Sequence, residues 1–197
     1  LFIYLFMDDL LLHMRDRFKV THKYFNFIRT NRHAPLFVKL KVLKACVMSN
    51  LLYNCETFGN IVPRNLENMY HKLIKAALGV RSSIPNELIL IELGLLPLIS
   101  LIYSRQLKFF KRFKCNLLPN SSKNTVFNML CQTRNKFLQH YIELEQRYND
   151  SNEIYFHFIN QLKQKIINHA SKVTSYKYRI YMEFNPTLTP FNFNFNP

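Results

Sequence analysis

Three glycines must serve a chain of 197 residues. Glycine reaches positive φ at little cost, so tight hairpins and phosphate-cradling loops depend on it. So small a supply argues against a sheet-rich architecture and against any glycine-loop nucleotide site. Gly59, Gly79 and Gly94 each fall where a stretch of helical periodicity stops, and Gly79 sits where a left-handed C-cap is expected. The hydrophobic content is 48%, enough for a core at this length. The expectation is a mainly α protein, a helical bundle.

Apolar spacing marks the helices. Phe18, Thr21, Phe25 and Ile28 form a stripe within Arg15–Thr30. Pro35 then opens a helix whose apolar side runs through Phe37, Leu40, Leu43 or Lys44, Val47 and Leu51. A third helix spans about Arg64 to Leu78, with Leu66, Met69, Tyr70, Leu73, Ile74 and Ala77 on one face. Ser82–Asn86 supplies turn and N-cap chemistry for a short helix ending at Gly94. Pro97 begins a long helix reaching Lys114, with Leu98, Ile102, Phe109 and Phe113 in one row and Ile99, Tyr103, Leu107 and Phe110 in the next. Two mixed-charge helices of surface character follow, near Thr125–Tyr148 and Asn152–Lys172. The polar stretch Leu117–Asn124 is the best internal boundary. Residues 1–12 read as the end of a strand or hairpin, and 184–197 as a low-complexity, disordered tail. The expected division is therefore 1–12, 13–116, 117–183 and 184–197.

The formal net charge is +15, which predicts affinity for polyanions, nucleic acid first. The charge is clustered. Between His13 and Lys44 nine Lys or Arg residues face one acid, Asp16, and no carboxylate occurs between Leu93 and Ile142. Arg105, Lys108 and Arg112 share a face of the long helix, flanked by Lys111 and Lys114. A helix this basic repels itself unless something negative lies against it. Leu88–Tyr103 is apolar, but Glu92, Gly94 and Pro97 interrupt it and it falls short of the roughly 20 residues a bilayer crossing needs. No membrane partner is expected. The four cysteines form no C-x-x-C pair and no histidine pair follows at finger spacing, so they read as reduced thiols of an intracellular protein, nuclear or cytoplasmic, with no metal site.

Three segments carry a resemblance: Ser49-Asn50-Leu51-Leu52-Tyr53-Asn54-Cys55-Glu56-Thr57-Phe58-Gly59, then Leu78-Gly79-Val80, then Glu92-Leu93-Gly94-Leu95-Leu96-Pro97. In this order and spacing they resemble the region downstream of the polymerase core in reverse transcriptases of non-LTR retrotransposons, particularly the jockey-like elements. The resemblance covers about Leu1 to Lys114. It implies the C-terminal, primer-grip and thumb part of an RNA-directed DNA polymerase, in which basic helices close over a primer–template. Hybrids of A-form character are recognised by shape and backbone. The chain then looks like a truncated piece of such a protein, with no cofactor of its own and magnesium expected for the parent polymerase.

The implied nucleic-acid contacts are Arg105, Lys108, Lys111, Arg112 and Lys114, with Lys39, Lys41, Lys44, Lys72 and Lys75 as a second set. About five neutralised phosphates predict a slope near −4 for log affinity against log salt. Tyr4-Leu5-Phe6 aligns with the family's primer-grip "YLG", which makes Tyr4 and Leu5 primer-grip residues, although Phe6 replaces the family's glycine. Phe6-Met7-Asp8-Asp9 superficially matches the aromatic-x-Asp-Asp turn that holds two magnesium ions. The third aspartate's strand would lie before Leu1, and the gap from Asp9 to Leu51 is shorter than the family's. No catalytic residue is therefore assigned, with Asp8 and Asp9 kept as the alternative. A stand-alone basic helical nucleic-acid-binding or scaffold module remains the other reading of the whole.

Overall fold

A computed structural model describes residues 22–57, 64–116, 125, 128–129, 136–170 and 177. Among them are seven helices and no strand. The expected N-terminal strand, the boundary at 117–124 and the tail at 184–197 lie outside the described residues.

Helix α1 covers residues 22–30. Helix α2 (Leu36–Val42) runs without a break into a π-helical stretch, Leu43–Met48, and a last α turn, Ser49–Leu51. Helices α3 (Arg64–Leu78), α4 (Asn86–Glu92), α5 (Leu98–Cys115), α6 (Lys136–Arg147) and α7 (Ser151–Ala170) follow. Proline precedes α2, α4 and α5, with φ between −58° and −55° and ψ between 138° and 148°. The ring fixes φ and the missing N–H is one a helix start does not need. At α4 this replaces the expected side-chain cap: Pro85 is the capping residue and no side chain bonds there.

Two glycines close helices as their backbone freedom allows. Gly79 (φ 69°) and Gly94 (φ 59°) are left-handed. Val80 N–H donates to Lys75 and Gly79 N–H to Ala76; Leu95 N–H donates to Leu90 and Gly94 N–H to Ile91. Both are Schellman closures, which satisfy carbonyls that a helix end leaves open. The apolar run Leu88–Tyr103 is thereby cut into the end of α4 and the start of α5. No helix among the described residues is long and apolar enough to cross a membrane.

The helices divide into two compact units. The first holds α1, α2 with its extension, and α3 with the turn that follows it as far as Ser82. Its core contains Tyr24, Ile28, Leu43, Val47, Leu51 and the whole predicted α3 stripe, Leu66, Met69, Tyr70, Leu73, Ile74 and Ala77. Leu43 rather than Lys44 faces inward. Phe37, expected in the core, is instead 65% exposed, because α2 buries nothing until its π-helical stretch begins. There Ser49 Oγ donates to Ala45 and Asn50 Nδ2 to Cys46, each at 2.8 Å. Side chains that bond back one turn compete with the backbone ladder, at the place where this helix widens. The Tyr24 hydroxyl donates to the Lys39 carbonyl at 2.7 Å, joining α1 to α2. Burial pushes its pKa up to about 12, so it stays a donor across the physiological range.

The second unit holds the 3-10 turn Cys55–Thr57 and helices α4 to α7. Here α5 is the central element, packed against the 3-10 turn, α6 and α7. The last two helices are more than the surface helices expected, since Tyr141, Leu144, Tyr148, Ile154, Leu162 and Ile166 are all buried. Asp150 starts α7 by accepting from the N–H groups of Asn152 (2.8 Å) and Glu153 (2.9 Å). Glu153 accepts from the N–H and the side-chain amide of Asn149, the residue before the cap, and so holds the entering chain against the first turn.

Candidate nucleic-acid interface

Helical spacing sorts the cations of α5 into two sets. Arg105, Lys108 and Arg112, at steps of three and four, are all exposed on one side. Phe109 and Phe113 stand among them, 47% and 40% exposed, with ring centroids 6.4 Å apart and planes within 18°. Both rings were expected in the core, and the correction has a simple cause. A four-residue step overshoots one turn by about 40°, so the buried row Leu98, Ile102, Gln106 and Phe110 drifts around the helix and away from the azimuth of Leu98 and Ile102, on which Phe109 and Phe113 fall.

Lys111 and Lys114 lie on the adjoining flank and bond to other parts of the unit. Lys111 Nζ donates to the Asn149 carbonyl in the turn between α6 and α7. Lys114 Nζ pairs with Glu145 of α6 at 2.7 Å and lies 5.7 Å from the centre of the Phe110 ring. The negative group expected against this helix is thus supplied, on that side, by the protein itself. In the first unit Lys39 Nζ donates to the Arg32 carbonyl (3.0 Å) and Lys75 Nζ to the Ser82 carbonyl (2.8 Å). Lys41, Lys44 and Lys72 are exposed. Lysines at turns serve here as clamps on carbonyl groups, and a clamped ammonium must give up that bond before it can meet a phosphate.

Behind the face lies a polar chain that hydrophobicity does not reveal. Gln106 is fully buried. Its Nε2 donates to the Cys55 carbonyl at 3.1 Å, and its Oε1 lies 3.0 Å from His140 Nε2. Cys55 offers an acceptor only, so the amide must face it with its nitrogen, and His140 must then donate from Nε2. Burial holds the His140 pKa below its ordinary value, against the opposing pull of Glu143. The Tyr141 hydroxyl donates to the Glu56 carbonyl. Cys55 and Glu56 are therefore tied to α5 and α6 through their carbonyl groups. The Tyr155 hydroxyl donates to Ser104 Oγ at 2.9 Å, adding a tie from α7 to α5.

Gln106 and His140 were missed as structural residues. The available signal was the four-residue step through Leu98, Ile102 and Phe110, on which Gln106 falls. Tyr4, Leu5, Asp8 and Asp9 lie outside the described residues. Among those described, no three His, Cys, Asp or Glu side chains gather where a metal ion would bind. No protein-family model, curated protein or solved structure matches the chain.

Proposed function

We propose that this chain is the thumb part of an RNA-directed DNA polymerase of a mobile element, and that it binds primer–template nucleic acid through basic helix faces. Two things support this. The Leu-Leu-Tyr-Asn-Cys-Glu, Leu-Gly-Val and Glu-Leu-Gly-Leu-Leu-Pro segments follow one another as in jockey-like reverse transcriptases. The observation that carries the binding itself is the exposed side of α5, where Arg105, Lys108 and Arg112 stand at helical spacing on a carboxylate-free segment.

The physics is that of backbone recognition. Cations held at fixed intervals by a rigid helix displace counterions from a regular row of phosphates, and the gain falls with salt. Three contacts predict a slope of about −3 in log affinity against log salt, shallower than five would give. Lys111 and Lys114 contribute less than their position in the sequence suggests, because each is already clamped.

Fluorescence anisotropy with a labelled RNA–DNA hybrid, over a salt series, tests the proposal. Replacing Arg105, Lys108 and Arg112 together by Gln is expected to remove most of the salt dependence. A wild-type chain that ignores hybrids at low salt overturns it. Equal affinity for hybrid and duplex DNA favours instead a general basic helical binding module.

A further inference from the structure

Two phenylalanine rings on the solvent side of a basic helix are poorly explained by duplex binding alone. A paired helix covers the faces of its bases and presents phosphates and sugars, to which a Phe ring has nothing to offer. Phe109 and Phe113 are exposed at the end of α5 where the buried row has drifted to Gln106 and Phe110. They lie nearly parallel, one turn apart, with Lys108 and Arg112 on one flank of the pair. An unpaired strand needs both components: cations tracking its backbone and aromatic faces for its bases.

We propose that this face of α5 binds single-stranded nucleic acid, with bases stacking on Phe109 and Phe113 and phosphates held by Lys108 and Arg112. The proposal rests on the nucleic-acid reading above and narrows it from a hybrid to an unpaired segment, such as the template beyond the primer. Charge complementarity favours this partner. Lipid binding also uses cations and aromatic rings, but an interfacial helix inserts a broad apolar side. The inward side of α5 is occupied by its own core, leaving two rings to insert. A base stacked on an aromatic ring gains about tenfold or more in affinity.

The test compares full-length wild type with the double variants Phe109→Ala/Phe113→Ala and Phe109→Leu/Phe113→Leu. The probes are labelled oligothymidine, a blunt RNA–DNA hybrid of equal length, and phosphatidylserine vesicles. Both variants are expected to weaken oligothymidine binding by about tenfold or more and hybrid binding by less than about twofold. The leucine pair, which keeps apolar area but removes the ring face, separates stacking from simple hydrophobic contact. Circular dichroism melts confirm folding, since neither ring belongs to the core. Unchanged oligothymidine affinity overturns the inference, as does an equal loss on both nucleic acids or a loss confined to vesicles. Hybrid binding that survives with no role for the rings leaves the primer–template proposal standing, whereas a chain that binds neither nucleic acid removes both.

Discussion

Helices α3 and α5 are both basic and amphipathic, yet they bury different materials. The buried residues of α3 are Leu66, Met69, Tyr70, Leu73, Ile74 and Ala77, largely apolar, with the ring nitrogens of His71 as polar atoms shielded beside them. The inward side of α5 includes Ser100, Ser104 and Gln106 beside Leu98, Ile102, Leu107 and Phe110. The first is held by removal of apolar surface from water, which is indifferent to direction. The second also depends on directed bonds to Cys55, His140 and Tyr155, which require particular partners. A helix at the centre of its unit must satisfy neighbours on several sides, and polar pairs specify which neighbour goes where.

Substitutions can break that contrast. The largest effect is expected in α3: Leu73→Ala leaves a cavity at a fully buried site and should cost about 3 kcal/mol in urea unfolding. Gln106→Leu keeps approximate volume but removes the bonds to the Cys55 carbonyl and the His140 ring, with an expected loss of about 2 kcal/mol. If that variant proves as stable as wild type, α5 is an apolar helix like α3 and the polar chain is incidental.

A smaller effect has a fixed sign. Because burial lowers the His140 pKa in the folded state, the unfolded chain binds its proton more readily. This contribution to stability is complete above the ordinary histidine value and is lost as pH falls from there through the folded value. His140→Gln should flatten that acid-side decline in denaturant titrations at a series of pH values, while α3 variants leave it unchanged. The smallest effect belongs to the surface pair: Lys114→Gln should cost about 0.5 kcal/mol or less, more at low salt than at high.

Much of α3 was legible because its evidence is local. Its bounds, its six inward residues and the left-handed Gly79 follow from spacing and from one residue's backbone freedom. The starts at Pro35 and Pro97 were legible for the same reason. In α5 the count of apolar residues misled: two phenylalanines were assigned inward and a glutamine was passed over, because hydrophobicity ranks Phe above Gln wherever the neighbours are unknown. Lys111 and Lys114 show the same limit. Their partners, Asn149 and Glu145, lie more than thirty residues away in sequence, so nothing adjacent to the lysines announces them. Phe37 looked like the start of a stripe that in fact begins at Leu43.

Sequence alone determined that the described residues would be helical, where the helices Arg64–Leu78 and Leu98–Cys115 begin and end to within a residue, and that a strong positive charge would gather on two stretches of the chain. Those properties come from backbone geometry and periodicity within one or two turns. Tertiary structure alone decided that Lys111 and Lys114 meet Asn149 and Glu145, that a buried glutamine joins the Cys55 turn to α6, and that two rings of α5 are exposed. Those outcomes depend on what packs against each helix, and a side chain's partner across a core is not encoded by its immediate neighbours.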